Sequence, residues 1–433
     1  MRRLLYPHLA ALSALTSVVA VAPALAQYGP PAPPQPVEVQ PRPDAAAAAT
    51  PAGPAPLCQA GISKGARAAL AKLQTAVAAK DSANIPALTT AAQAVAKSND
   101  DRCFIGQMQV KAAVDANNLT AVPAGIEAQL ASGSIPATRV ATLYEALGQS
   151  FYRADNHAGA ASAFERAIAL DPSRSDAVIL LAEVRTKQNR VADALPLYRK
   201  AIAMETTAGR VANSKWYGRA LTVAHNAKNP LAYGLTRDWV AAYPSAANWR
   251  DAVRIYANVS GASDDVMIDL YRLQRLTKSL AGESDHARYA QALITKGFAG
   301  EAKAMLDESF ATKAADPTRA SLKSYHALAT SRAAGDRVSL DGQAKAALAS
   351  PAAKPAMVLG EAYFGYGDYA KAAAMFSAAQ GKSGVDAELA NLRLGMALAA
   401  SGDKPGAAAA LARVTGPRAE VARYWETYAK LRS

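Results

Sequence analysis

Residues 141–174 read ATLYEALGQSFYRADNHAGAASAFERAIALDPSR, and this stretch decides the fold of the chain. It predicts two antiparallel helices, because small residues at Gly148 and Ala160 let two helices touch while larger residues fill the space on either side. Pro172 then ends the second helix, since the residue before a proline is disfavoured in the helical conformation. The other packing positions are Tyr144, Leu147 and Phe151 on the first helix and Phe164 and Ala167 on the second.

The same pattern recurs along the chain with a period of 34 residues. A second unit starts at Ser175 without a gap, and a third starts at Asn213 after four extra residues. Further units, some of them degenerate, begin at Ala247, Glu283, Leu322, Ala353 and Glu388. Repetition at a fixed spacing predicts a stack of similar units rather than several unrelated domains.

These units resemble the tetratricopeptide repeat at each of the positions quoted above. The resemblance implies an all-α fold, a right-handed α-solenoid of stacked helix pairs. We assign the solenoid to residues 137–416 and a last amphipathic helix, in 417–433, to the solvent-facing cap that such stacks require. Residues 58–136 also predict helices, which form either a distinct N-terminal cap or degenerate repeats.

The overall composition agrees with a helical fold. Of the 433 residues, 51% are hydrophobic but only 6% are aromatic, so alanine supplies much of the apolar content. Alanine has the highest helix propensity, whereas a β-sandwich would need more aromatic and β-branched residues. The composition therefore disfavours a strand-rich fold and excludes a collagen-like or fully disordered chain.

The first 57 residues predict export followed by a spacer. Residues 1–26 combine two arginines, an apolar run and small residues before Gln27, the pattern of a secretory signal peptide cleaved after Ala26. The apolar run is shorter than the ~20 residues of a spanning helix, which disfavours an uncleaved membrane anchor. Residues 27–57 contain ten prolines and predict a disordered linker, with a ligand for a proline-binding domain as the alternative. We expect a mature protein without a transmembrane segment, periplasmic by analogy with similar exported repeat proteins.

The chain has two cysteines, Cys58 and Cys103. In an oxidising compartment, two cysteines that flank one compact unit most simply pair, and the bond would contribute ~4 kcal/mol on the chain-entropy model. The alternatives are lipid attachment at Cys58, which lies far beyond the signal core, and a metal or catalytic role, for which partner residues are lacking. The sequence therefore predicts a disulfide.

In tetratricopeptide proteins the first helix of each unit lines a concave groove, and the resemblance carries the groove offsets onto this chain residue by residue. The predicted surface mixes polar, aromatic and aliphatic groups, which suits an extended peptide or a helix of a partner. These groove residues are Glu145, Gln149, Tyr152, Arg153, Ile179, Glu183, Lys187, Tyr217, Leu221, His225, Asp251 and Ile255. Cochaperones of this family hold acidic chaperone tails with cationic and amide groups, and this chain carries Glu145 and Gln149 at the positions of those groups. The difference disfavours a cochaperone function.

The resemblance and the export signal together predict a non-enzymatic scaffold that binds a protein or peptide in cell-envelope assembly or secretion. The net charge of +13 leaves one alternative, the handling or secretion of a polysaccharide or acidic glycan on a basic surface. The basic residues concerned are Arg210, Lys215, Arg219, Arg237, Arg250 and Arg254. Nucleic acid is a disfavoured partner, because an exported protein rarely meets it.

The spacing of titratable residues predicts no catalytic, metal or cofactor site. The histidines of the mature chain lie in different repeats, and none has the spacing of metal ligands on a helix. They are His157, His225, His286 and His326. No glycine-rich phosphate loop follows a predicted strand. We therefore expect neither an enzyme nor a cofactor.

The signal-peptide prediction is tested by the N-terminus of the mature protein. Purified from the producing cell and sequenced from its N-terminus, the chain should begin at Gln27, because the peptidase cleaves after the small residue Ala26. A chain that keeps Met1 and fractionates with membranes would contradict cleavage and support an uncleaved anchor.

Overall fold

The computed structural model describes Cys58 and residues 61–334 and 336–432. The export signal predicted for 1–26 and the linker predicted for 27–57 lie outside the described residues. Within the described residues the chain is all-α, since it forms helices joined by short turns and no β-strand. The predicted fold class, an α-solenoid of stacked helix pairs, is confirmed.

The described residues form twenty-one helices. The N-terminal region contains α1 (Arg67–Ala78), α2 (Ile85–Val95), α3 (Asn99–Asp115) and α4 (Val122–Ala131). The next eight are α5 (Ala137–Arg153), α6 (His157–Leu170), α7 (Ser175–Lys187), α8 (Val191–Thr207), α9 (Ser214–Asn226), α10 (Leu231–Ala242), α11 (Ala246–Ser260) and α12 (Asp264–Leu276). The last nine are α13 (Gly282–Thr295), α14 (Ala299–Ala311), α15 (Ala320–Arg332), α16 (Asp336–Ala349), α17 (Ala353–Gly365), α18 (Tyr369–Ala379), α19 (Ala387–Ser401), α20 (Lys404–Leu411) and α21 (Ala419–Leu431).

The two helices of a pair approach each other where a glycine on the first helix meets a large side chain on the second. At Gly148 of α5, an added Cβ would lie 2.7 Å from the ring of Phe164 in α6, which is fully buried. Gly360 of α17 has the same relation to the ring of Phe376 in α18, at 2.6 Å. Two units far apart in sequence therefore pack in the same way, as the repeat pattern predicts.

The N-terminal region is helical and is closed by a disulfide. Cys58 and Cys103 are bonded, with their Cα atoms 5.3 Å apart, as the sequence predicts. Next to the bond, the carboxylate of Asp101 accepts hydrogen bonds from the backbone and hydroxyl of Ser63 and from the backbone of Lys97. Burial raises the pKa of Asp101, but these hydrogen bonds outweigh it and hold the pKa well below its usual range.

The second half of the chain departs from simple stacking of successive pairs. Helix α17 contacts α14 directly, while α15 packs on α13 and α14 and α16 packs on α17 and α18. The helix pair predicted from Leu322 therefore does not form, because α15 and α16 pack on different neighbours rather than on each other. Glycines allow the close approach of α14 and α17: a Cβ at Gly300 would lie 2.2 Å from the hydroxyl of Tyr366, and one at Gly365 would lie 2.6 Å from Cβ of Glu301. The regular array is therefore interrupted at α15 and α16.

Helix α21 does more than the predicted solvent-facing cap. It contacts its neighbours α19 and α20 and also α10 and α12, which lie much earlier in the chain. Trp425 of α21 is fully buried, and its indole N–H donates to the backbone carbonyl of Asp269 at 3.2 Å. The hydroxyl groups of Tyr424 and Thr236 share a hydrogen bond as well. The apolar face of α21 is therefore covered by two parts of the chain.

Two glycine substitutions test the assigned register, because they should act in opposite directions. Gly148→Ala should lower the free energy of unfolding by about 1–3 kcal/mol, since its Cβ would overlap the buried ring of Phe164. Gly218→Ala, at an exposed position of α9 with no atom within 4 Å of the new Cβ, should raise it by roughly 0.5–1 kcal/mol through helix propensity. Urea denaturation of both variants measures the effect. Equal effects on unfolding at the two positions would refute the register.

Candidate functional site

The predicted groove residues lie on the first helices of four successive pairs, α5, α7, α9 and α11. Helix α5 contacts α7, and α9 contacts α11, while α7 and α9 are joined through the side chains of Glu183 and Arg219. The groove residues divide by burial into three groups. Arg153 and Lys187 are exposed. Gln149, Tyr152, His225, Asp251 and Ile255 are half-buried, and Glu145, Ile179, Glu183, Tyr217 and Leu221 are buried.

The apolar members of the buried group take part in helix packing. Ile179, Tyr217 and Leu221 are only 1%, 2% and 4% exposed. The ring of Tyr217 packs edge-on against Tyr243, with the ring centroids 6.1 Å apart. These three side chains therefore belong to the packing between helices, and only the exposed and half-buried members of the predicted groove are accessible to solvent.

The two glutamates of the buried group are paired with arginines. Glu145 binds Arg174, with 2.6 Å between its Oε2 and the guanidinium Nη2. Glu183 on α7 lies 3.3 Å from Nε of Arg219 on α9. Burial raises the pKa of Glu183, although Arg219 opposes that shift. The Glu183–Arg219 pair links two successive units, whereas Arg174 is the last residue of the unit that contains Glu145 and directly precedes α7.

Tyr152 brings a third helix to the Glu183–Arg219 pair. The pKa of the Tyr152 phenol is raised first by burial and then by the nearby Glu183 carboxylate, while Arg219 lowers it. Tyr152 lies on α5, Glu183 on α7 and Arg219 on α9, so three successive first helices place polar groups within electrostatic reach of one another. His225 lies six residues after Arg219 on α9, and its buried Nδ1 has no hydrogen-bond partner among the described residues. Polar residues of three repeats therefore lie close enough to interact electrostatically.

The fourth unit contributes Asp251 and Ile255 on α11, both half-buried. Asp251 lies 3.8 Å from Nη1 of Arg254, one turn along the same helix. Burial raises the pKa of Asp251, while Arg254 and Arg250 lower it. This pair lies within one helix and does not link α11 to α9.

The basic residues considered for a glycan surface are engaged in separate local contacts. Arg210 pairs with Glu205, Arg219 with Glu183, Arg237 with Glu420 and Arg254 with Asp251, and Arg250 donates to the carbonyl of Ser279. Lys215 is exposed on α9. These pairings reduce the positive potential available to a polyanion, so no observation here favours the glycan alternative.

The structure contains a buried group of charged side chains that the sequence did not predict. We call it the ion cluster: Asp269 and Arg272 of α12, Glu301 of α14, Glu361 of α17 and Arg393 of α19, each no more than 8% exposed. Arg272 makes two hydrogen bonds to Glu301, at 2.9 and 2.5 Å, and lies 2.7 Å from Glu361. Arg393 pairs with both Asp269 and Glu361.

The surroundings of the ion cluster affect its carboxyl groups differently. Burial raises the pKa of Asp269, and the two arginines only partly offset that effect. Burial also raises the pKa of Glu361, but Arg272 and Arg393 outweigh it and hold the pKa below its ordinary value. The guanidinium of Arg272 lies between the rings of Phe298 and Phe364, 5.4 and 5.0 Å from their centroids. The cluster is thus a desolvated contact among four helices.

The remaining titratable groups do not assemble into a metal site. Among the described residues, no three or more histidine, cysteine, aspartate or glutamate side chains are grouped so that they could hold a metal ion. His286 is buried and its Nδ1 lies 2.7 Å from the carbonyl of Gly282, and His326 lies 2.6 Å from Asp307. None of the helices in the described part of the chain has the length and apolarity needed to cross a membrane.

Stacked helix pairs of this kind define the chain as an α-solenoid repeat protein. A family model described as tetratricopeptide repeat matches residues 145–210 and 357–420. These two regions therefore consist of tetratricopeptide repeats, as the sequence pattern predicts. The repeats indicate a protein-interaction scaffold as its class of function.

Two solved structures that are similar to the chain are described as tetratricopeptide-repeat proteins. The C-terminal part of a repeat-containing protein from Cytophaga hutchinsonii is 14% identical over 59% of this chain and 98% of that chain, with a TM-score of 0.34. A tetratricopeptide repeat protein from Parabacteroides merdae is 12% identical over 60% of this chain and 99% of that chain, with a TM-score of 0.27. No curated protein matches the chain significantly in sequence.

Proposed function

We propose that this protein is an exported, non-catalytic scaffold that binds a segment of a protein partner along α5, α7, α9 and α11, in cell-envelope assembly or secretion. The observation that carries the proposal is the convergence of Tyr152, Glu183 and Arg219 from three successive repeats. A ligand that lies across the repeats would contact all three helices at once. Such a surface gains affinity from several modest contacts rather than from one deep pocket.

The chemistry of the accessible groove residues favours a polar or acidic segment with an aromatic or aliphatic anchor. Arg153 and Lys187 are exposed cations at the C-terminal ends of α5 and α7. Half-buried Gln149 and Tyr152 lie beside them and offer an amide, a phenol and a ring face. An extended peptide would find hydrogen-bond donors, two positive charges and an aromatic contact within one surface.

Export is supported by two independent features. Residues 1–26 have the composition and order of a secretory signal peptide. The bond between Cys58 and Cys103 is of a kind that persists in oxidising compartments and is rare in the cytosol. The N-terminus of the mature protein tests the export step separately from partner binding.

Site-specific photocrosslinking in the producing cells tests the groove. A photoreactive phenylalanine would replace Arg153 or Lys187, on the proposed groove, or Lys200 as a control, an exposed residue on the second helix α8. We expect one discrete protein adduct at positions 153 and 187 and none at 200, because only the first helices face the partner. Adding Tyr152→Ala should reduce the adduct at position 187 at least fivefold, since it removes the aromatic contact.

Two results would contradict this proposal. One is an equal yield of the same adduct at position 200, which would show that the partner does not distinguish the two helix layers. The other is a yield at position 187 that Tyr152→Ala leaves unchanged, in a variant whose thermal unfolding matches that of the parent.

A further inference from the structure

Two exposed cations lie at the ends of successive first helices in the groove. Arg153 is the last residue of α5, and Lys187 is the last residue of α7. Among the described residues, neither of them forms a hydrogen bond or an ion pair. By contrast, carboxylates bind three arginines of the first three units, Arg174, Arg185 and Arg219. The charges of Arg153 and Lys187 are therefore available to a ligand.

The two cations occupy the same position in successive repeats. They are 34 residues apart, which is one full period of the sequence pattern. The equivalent position of the third unit is His225, 38 residues after Lys187, because four extra residues precede that unit. Equivalent positions of stacked repeats form a row that crosses the helices. A ligand that lies across the repeats therefore meets Arg153 and Lys187 in succession.

The carboxylates nearest to these cations are directed to other groups. Glu183, one turn before Lys187, lies 3.3 Å from Nε of Arg219. Asp155 lies 3.6 Å from Nε2 of His157, and its side chain is 91% exposed, so solvent screens its charge. The row therefore keeps a net positive charge, which favours an anionic ligand.

Contacts between the ends of α5 and α7 set the spacing of the two cations. The ring of Tyr152, the neighbour of Arg153, packs edge-on against His157 with the centroids 5.7 Å apart. The carbonyl of His157 accepts a hydrogen bond of 3.0 Å from the side chain of Gln188, which directly follows Lys187. Packed helices lie about 8–10 Å apart. We therefore expect about this distance between the two charges along the row.

This spacing favours one conformation of the ligand. In a polyproline II helix, side chains three residues apart lie on the same face and about 9.3 Å apart. In a β-strand, side chains on one face lie about 6.6 or 13 Å apart, which does not match. An α-helix matches only at seven residues, about 10.5 Å. The half-buried ring of Tyr152 beside Arg153 decides between the two, because polyproline II segments dock on aromatic surfaces.

We propose that the partner segment adopts the polyproline II conformation and carries two carboxylates three residues apart. One carboxylate binds Arg153 and the other binds Lys187, while the residues between them lie against Tyr152. This inference rests on the proposed groove function and narrows the partner to an acidic, proline-containing sequence. The two cations are not at the positions that hold acidic tails in cochaperones, which correspond to Glu145 and Gln149 in this chain.

Two peptides of equal composition and charge test the spacing. The first is acetyl-Pro-Glu-Pro-Pro-Glu-Pro-amide, with its carboxylates three residues apart. The second is acetyl-Pro-Glu-Glu-Pro-Pro-Pro-amide, in which they are adjacent and point to different faces. Binding of each to the mature chain would be measured by isothermal titration calorimetry at pH 7 and low ionic strength. We expect the first peptide to bind at least fivefold more tightly, because only its carboxylates align with both cations.

Three variants that each remove one positive charge test the location. Arg153→Gln and Lys187→Gln should each weaken the first peptide at least fivefold and abolish its advantage over the second. Lys200→Gln is the matched control, at an exposed lysine on the second helix α8, and should leave both affinities unchanged. All three positions are exposed, so the variants should fold, which circular dichroism checks.

Three outcomes would overturn the proposal. Equal affinities of the two peptides, or binding of neither, would show that the groove does not recognise this spacing. An equal loss in Lys200→Gln would show that the peptides respond to the net charge of the chain. Parent-level binding in Arg153→Gln and Lys187→Gln, with a lowered unfolding temperature, would assign the cations to stabilisation of the helix C-termini alone.

The crosslinking experiment distinguishes this proposal from the groove function on which it rests. A discrete adduct at position 187 together with equal peptide affinities would refute the carboxylate spacing and leave the groove function standing.

Discussion

The ion cluster is the contact on which the second half of this structure depends. It joins α12, α14, α17 and α19 through charges that are almost fully removed from water. Desolvating charges is expensive, and mutual attraction offsets that cost only when the partners are held in good geometry. Loss of one partner therefore leaves the others both buried and unpaired. The cluster specifies one arrangement of four helices more strictly than apolar packing alone would, since apolar contacts tolerate shifts that charge pairs do not.

Several other features follow from this contact. Because α14 and α17 meet at the cluster, α15 packs on one side of this contact and α16 on the other, and a cavity lies between α14, α16 and α17. Because α12 is held against α17 and α19, its carbonyl at Asp269 is placed to accept the indole N–H of Trp425 from α21. The last helix is thereby bound to units far earlier in the chain. The first half, with its groove, lacks an equivalent contact among the described residues and stacks pair by pair.

The sequence predicts most of this fold because a repeat is a local pattern. Gly148 and Phe164 are sixteen residues apart and define their helix pair without reference to the rest of the chain. The two cysteines were predictable for a similar reason, since the chain offers no other pairing. The ion cluster was not predictable, because its members are far apart in sequence: Asp269 and Arg393 are separated by 124 residues. Within one helix, such charged residues cannot be distinguished from those of an ordinary solvent-exposed face.

The groove was predictable only in part. The family offsets place the predicted residues on α5, α7, α9 and α11, and the first three of these helices carry Tyr152, Glu183 and Arg219, which interact electrostatically. The offsets do not distinguish a side chain at the open face from one at the seam between neighbouring first helices. Ile179 and Leu221 lie buried for that reason, since the burial of a seam residue depends on the distance between repeats. The side chains of both units set that distance, so the position of a residue within one unit does not predict it.

A double-mutant cycle between Asp269 and Arg393 tests the central claim most directly. Asp269→Asn, Arg393→Gln and the double variant would be compared with the parent by urea unfolding at pH 7. Each single change should cost about 3–5 kcal/mol, because it removes one partner of a buried, hydrogen-bonded ion pair. The coupling between them should reach roughly 2 kcal/mol, within the range for residues in contact. Additivity to within about 0.5 kcal/mol would show that α12 and α19 are not held together by this pair, and would contradict the account.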